Sequence, residues 1–265
     1  MRRTVKAMAD EFFQQHLHGA HFRQVDLTGA RFEQVRLGGA TFHDVDLSGV
    51  RFRAAWVRDV EIGGELESLR IHGIDVIPLV EAELDRRHPE RTELRPTDAD
   101  GFRRAWTIIE HLWTDTVARA RGLDAALLHE QVDGEWSFIE TLRHLAFATD
   151  CWINRVLLGD PYPWHPLDLP WDEAPDVPGV PHDREVRPSL DEALALRNDR
   201  MATVRRVVDD LTDELLAGST EPVLEPGFPE SESFPVRDVL RVVLNEEWWH
   251  RRFAERDLDV LSADS

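Results

Sequence analysis

The chain has 265 residues, 42% hydrophobic and 31% charged, an ordinary globular balance that excludes wholesale disorder. The single cysteine, Cys151, excludes an intrachain disulfide framework and a cysteine-based zinc site within one chain. The net charge of −20 disfavours nucleic acid and anionic membrane as partners, and no apolar run reaches the roughly eighteen residues that would predict a membrane span.

The charge is unevenly placed. Residues 1–64 hold nine Lys or Arg and eight Asp or Glu, so the acidic surplus lies in the remainder. Lys6 is the lone lysine, which leaves Schiff-base chemistry one poor candidate. The start, MRRTVKAMADEFFQQ, lacks an apolar core and a small-residue cleavage site, so a secretory signal is not expected and a cytoplasmic location is.

From Leu17 the chain repeats every five residues. Large apolar residues fall at Leu17, Phe22, Leu27, Phe32, Leu37, Phe42, Leu47, Phe52, Val57 and Ile62. Small ones precede them by two positions, at Ala20, Val25, Ala30, Val35, Ala40, Val45, Val50, Ala55 and Val60. A period of five suits neither a helix nor a strand. It suits a square coil in which each repeat forms one side, with the large residue at the axis and stacking between coils burying it. Residues 15–64 give about two and a half such coils. The segment resembles the pentapeptide-repeat family, and the resemblance implies a right-handed quadrilateral β-helix over residues 1–64. Some members of that family are acidic rods that mimic DNA. Here the segment is near neutral, with Arg23, Arg31, Arg36, Arg51, Arg53 and Arg58 expected outward, so a structural or docking module is the expectation. His16, His18, His21 and His43 lie at outward or flanking places in the coil.

Residues 65–97 read as a bridge. LRIHGIDV alternates around a glycine, as a strand or hairpin does. Pro78 then opens a short helix, PLVEAELDRRH, and HPERTELRPTDAD reads as a polar linker.

Residues 98–265 are expected to form an all-α four-helix bundle, which makes the whole chain an α+β multidomain protein. Residues 98–121 place Phe102, Ala105, Trp106, Ile109, Leu112, Trp113, Val117 and Ala120 on one helical face. The second helix, 137–158, opens with the capping-box pair Ser137 and Glu140 and ends at Gly159 and Pro161. A Pro- and Trp-rich connection follows. The third and fourth helices span 189–212 and 236–261.

Two places on these helices could carry chemistry. His144 sits in EWSFIETLRHLAF among apolar neighbours. In VLNEEWWHRRF, Glu246 and His250 are four apart and so about 40° apart on one face. His250 is offset by about 20° from inward Val243, which turns the pair into the bundle. A buried charge needs a partner or a metal. Two ligands four apart on one helix and a third from a facing helix make a workable metal site, although spacing does not choose between Glu246 and Glu247. Mixed imidazole and carboxylate ligation suits zinc and permits nickel, iron or manganese. The competing arrangement is a core histidine bonded to a carboxylate and to backbone.

The stretch 98–261 resembles the DinB/YfiT-like superfamily of metal-dependent enzymes, through WSFIETLRHL and EEWWHRRFAERDL. In the first segment His144 occupies the family's first ligand place. The last helix of most members offers two histidines four apart, and here these positions are Glu246 and His250. The likeness is greatest to the mycothiol-dependent maleylpyruvate isomerase branch, which uses a His, Glu, His zinc site. The resemblance therefore implies His144, Glu246 and His250 as metal ligands. It also implies a low-molecular-weight thiol such as mycothiol or bacillithiol as cosubstrate, brought to a small electrophile by a transferase or isomerase.

Around this centre, Trp136, Trp164, Trp248 and Trp249 could line an aromatic mouth. His165, flanked by prolines, is a candidate general base or substrate contact. Arg251 could hold a substrate carboxylate, with a surface ion pair to Glu247 or Glu255 as the competing role. Glu140 could orient His144, though its capping role explains it equally well. The alternative function is a non-catalytic interaction or stress-response protein that docks a partner through the coil, and pairing with a second copy of the chain is a further expectation.

Overall fold

The structure, a computed structural model, describes Phe12 and residues 15–42, 45–64, 66–172 and 174–263. Lys6, His43 and the first eleven residues lie outside the described residues. The chain divides into two compact units, Met1–Ile62 and Gly63–Ser265.

In the first unit the five-residue period shows as regular corners. The amide of Ala20 donates to Leu17 O at 3.1 Å, and Ala30 to Leu27, Ala40 to Leu37 and Val50 to Leu47 repeat the bond every ten residues. Gly19, Gly29, Gly39 and Gly49 hold positive φ at the third place of these turns, where an L side chain would be strained. Asp26 and Asp46 brace two of them by accepting from the amides of Thr28 and Ser48, each at 2.8 Å. The alternate corners place Gln24, Gln34 and Ala54 in the left-handed region.

The expected burial along the axis is not met. Leu17 is 48% exposed, Phe22 60% and Phe32 63%. Among the described residues of this unit there is no strand, and no backbone hydrogen bond joins one coil to the next. The physical reason is length. With about two and a half coils, nearly every axial residue lies beside an open end, so stacking has little apolar surface to remove from water. Among the described residues the regular corners of the repeat are present and stacked walls are not.

The second unit opens with a minimal hairpin, β1 (Arg70–Ile71) and β2 (Ile74–Asp75), antiparallel with Ile71 opposite Ile74. His72 and Gly73 both take positive φ, the conformation a two-residue hairpin loop requires. Helix α1 (Ile77–Arg87) follows with Pro78 in its first turn. The segment expected as a polar linker is a 3-10 turn, Pro89–Leu94, that packs into this unit. Leu94 joins the core, and Arg91 is buried by ion pairs to Glu81 and Asp85.

Four long helices make the body. Helix α2 (Ala99–Ala120) is capped by Asp98, which accepts from Gly101 N at 2.7 Å. Its buried stripe runs through Phe102, Ala105, Trp106, Ile109, Trp113 and Ala120. Burial of each large apolar side chain contributes about 1.5–3 kcal/mol. Helix α3 (Phe138–Thr149) begins with the capping box of Ser137 and Glu140, then widens into a π-helical turn over Asp150–Leu157. It ends at Gly159, whose φ of +77° suits a helix stop. Helix α4 (Leu190–Asp210) has its own capping box, Ser189 with Glu192, and a short α5 (Asp213–Leu216) follows. Helix α6 (Val236–Ala263) is the longest at 28 residues. Helices α2 and α3 each pack on both α4 and α6, so the core lies between two diagonal pairs. None of the described helices is long and apolar enough to cross a membrane.

Candidate metal centre

The capping box sets the start of α3. Ser137 N donates to Glu140 Oε2 at 2.8 Å, and Glu140 N donates to Ser137 Oγ at 3.3 Å. Two turns later His144 faces α6 and is 8% exposed. Its Nδ1 lies 3.0 Å from the carbonyl oxygen of Leu169. A carbonyl only accepts, so the hydrogen sits on Nδ1 and Nε2 keeps its lone pair. Burial lowers the pKa of His144, as does His250 nearby, against the pull of Glu246.

Helix α6 brings Glu246 and His250 to the same point. Glu246 Oε2 is 3.1 Å from His250 Nε2 and 3.6 Å from His144 Nε2. One ligand atom from each of the three residues lies within 4.8 Å of the others. Burial opposes the charge on Glu246, but the two imidazoles outweigh it and hold the carboxyl well below the usual range. Its Oε2 is buried, yet no hydrogen bond is aimed at it. A desolvated carboxylate oxygen between two imidazole nitrogens fits a divalent ion, and the donor set is one that zinc accepts.

The neighbouring carboxylate is turned away. Glu247 is 1% exposed and pairs with the buried Arg197 of α4, which lies over the Trp113 ring at 5.6 Å. Burial raises its pKa and Arg197 opposes that rise. The ambiguity between the two glutamates is thus resolved by a partner on another helix.

Residues 108–254, more than half the chain, match the family model described as the DinB superfamily. The chain belongs to the DinB superfamily. Residues 16–53 match pentapeptide repeats in eight copies. No curated protein and no solved structure gives a significant match.

All three clustered residues fall inside the DinB match. Trp136, just before the cap of α3, joins them. Its ring lies 4.3 Å from that of His144 and stacks on His250 at 5.5 Å with planes 8° apart. Trp136 Nε1 donates to Asp172 Oδ1 at 3.1 Å, and Arg184 Nη1 holds the same oxygen at 2.5 Å.

The other expected residues stand further off in the DinB domain. Trp164 stacks on Phe147, which in turn lies 6.2 Å from His144. Trp249 stacks on Phe253, whose edge meets His250 at 6.1 Å. Trp248 is buried in the core, edge-on to His88. His165 is engaged by its own loop, because its Nδ1 accepts from Leu167 N at 3.1 Å. Burial and the charge of Arg200 lower its pKa. Arg251 ties α6 to α2, donating to Leu112 O at 3.1 Å and Thr116 Oγ1 at 2.8 Å, since it points one step round the helix from His250. Glu140 serves the cap and accepts from Gln131, while Leu169 O takes the orienting role expected of it. Cys151 is buried, and burial pushes its thiol well above the usual range.

Sequence reasoning missed Leu169, Asp172 and Arg184. The first acts through its backbone, which no side-chain pattern encodes. The other two lie in the irregular connection after α3, where no helical period relates them to Trp136.

Proposed function

We propose that the protein is a divalent-metal-dependent enzyme that activates a thiol or a water for attack on a small electrophile. The carrying observation is Glu246 Oε2, buried without a hydrogen bond and facing Nε2 of both His144 and His250. Those three residues would hold the ion, with zinc best suited to the donor set and nickel, iron or manganese also accepted. Bound there with a position open, such an ion supplies Lewis acidity that lowers the pKa of a thiol or water.

The chain's own residues prepare that site. Leu169 O fixes the His144 ring with its lone pair inward. Glu246, its carboxyl held well below the usual range, provides one negative charge for the ion. Trp136 covers the face of His250 and lies tilted against His144, and its flat ring would offer a stacking surface to a planar substrate. Cys151, buried and with its thiol pKa raised, is not the nucleophile, which favours a thiol brought from outside. Mycothiol or bacillithiol is proposed on the family resemblance, with a transferase or isomerase reaction.

The test uses full-length, zinc-loaded protein with mycothiol, bacillithiol or no thiol, and a panel of electrophiles that includes maleylpyruvate. Turnover that is lost in His250→Ala supports the reading. No turnover with any thiol or with water overturns it.

A second reading concerns the repeat unit. Its apolar row is uncovered, from Leu17 at 48% exposure to Phe52 at 74%. We propose that the quadrilateral coil closes when a partner covers that row, which would make the unit a docking module. A partner retained by the full chain, and released when Phe22 and Phe32 are both changed to Ser, would support this.

A further inference from the structure

The connection after α3 is held to that helix and its π-helical turn at three consecutive residues, Leu167, Asp168 and Leu169. Arg143 Nε donates to Leu167 O at 2.8 Å, and His144 Nδ1 donates to Leu169 O at 3.0 Å. Between them lies Asp168, fully buried, in side-chain contact with Asp150 at the head of the π-helical turn.

The two carboxyls have unequal partners. Asp150 accepts from Asn154 Nδ2 at 2.5 Å and from Arg200 at 2.9 and 3.2 Å. Asp168 Oδ2 accepts from the His165 amide at 2.7 Å, while its Oδ1 is buried with no donor. Two touching carboxylates, fully buried, face one guanidinium. Both cannot stay ionised there, and an ionised Asp168 would leave Oδ1 unsatisfied. One proton on Asp168 removes the second charge and turns the orphan oxygen into a donor toward Asp150.

We propose that Asp168 is a positioning residue for the His144–Glu246–His250 centre, seating the Leu167–Leu169 segment through a proton shared with Asp150 so that Leu169 O can orient His144. Its bearing on metal binding rests on the metal-centre reading above; the shared proton does not. The groups facing the pair are Arg200 from α4, His165 from the connection, and Asn154 and Cys151 from the π-helical turn. Of these Arg200 alone carries a positive charge at neutral pH, and Asp150 takes its bonds. Burial and the neighbouring Asp150 charge push Asp168 up to about 9, and burial pushes Asp150 up as well, in keeping with one proton held between them.

The test compares full-length wild type with Asp168→Asn and Asp168→Ala. The infrared spectrum at pH 7 should carry a protonated-carboxyl band that is missing from Asp168→Asn. Identical carboxyl bands in the two proteins would overturn the shared proton. Because the Asp168 pKa is raised on folding, its contribution to stability declines as pH rises from 3.8 towards about 9. The melting temperature of Asp168→Asn should therefore gain on wild type over that window, and parallel curves would count against the proposal.

For positioning, zinc is the probe. Asn can still donate to Asp150 and accept from His165 N, so Asp168→Asn should bind zinc within about twofold of wild type. Asp168→Ala should bind about tenfold or more weakly. Equal binding by Asp168→Ala would overturn the positioning role, and so would an equal loss in both variants. If wild type binds no zinc, the metal-centre reading fails and the positioning claim goes with it, while the infrared band still decides the carboxyl pair.

Discussion

The ring of His144 is fixed by a carbonyl twenty-five residues further along the chain, with Nδ1 3.0 Å from Leu169 O. That bond determines which nitrogen is free. Nε2 is left to face Glu246 Oε2 and His250 across the α3–α6 contact. A histidine held only by apolar neighbours could rotate; this one has a single productive orientation.

The α3 cap supports that orientation from the other end. Ser137→Ala removes the acceptor for Glu140 N and should destabilise the domain by about 1 kcal/mol in urea denaturation. A loss below a few tenths of a kcal/mol would mean the capping box does not set the start of α3.

The Arg197–Glu247 pair makes a sharper prediction. Both side chains are buried, so Arg197→Met leaves an unpaired carboxylate in the core and should cost about 3–5 kcal/mol. The double change Arg197→Met with Glu247→Met should recover most of that loss, because it removes both charges together. A double-mutant cycle with no coupling would contradict the structure here.

Stability of the metal-free protein should depend on pH through His144. Burial lowers its folded pKa below the ordinary 6.5. The unfolded chain therefore takes up the proton first, and stability is lost as pH falls through 6.5 towards the folded value. The difference in melting temperature between wild type and His144→Asn should move against wild type over that range. Glu246 acts in the same direction lower down. Its folded pKa lies below the ordinary 4.5, so its contribution is present above 4.5 and is lost on further acidification. A His144 difference that does not change with pH would contradict the assigned burial.

Much of this is legible in the amino-acid sequence. The gaps of three and four through Phe102, Trp106, Ile109 and Trp113 fix the face of α2 because a helix repeats every 3.6 residues. Likewise, Glu246 and His250 had to share a face. The choice between Glu246 and Glu247 was not legible, since they are only about 100° apart on the helix and the deciding partner, Arg197, lies on a different helix. His165, flanked by prolines, reads from the sequence as a candidate base, yet its loop uses the ring as an acceptor for Leu167 N. The five-residue period predicted corners correctly, because corners are local. Stacking between coils is a long-range property that two and a half coils barely support.

The central claim is tested most directly by counting metal. Purified full-length protein, analysed by inductively coupled plasma mass spectrometry, should carry about one divalent ion per chain, and His144→Ala and His250→Ala should carry almost none. Zinc at a hundred times its dissociation constant should stabilise the wild type by about 2.7 kcal/mol and raise its melting temperature. A metal-free protein whose melting temperature zinc leaves unchanged would contradict the account.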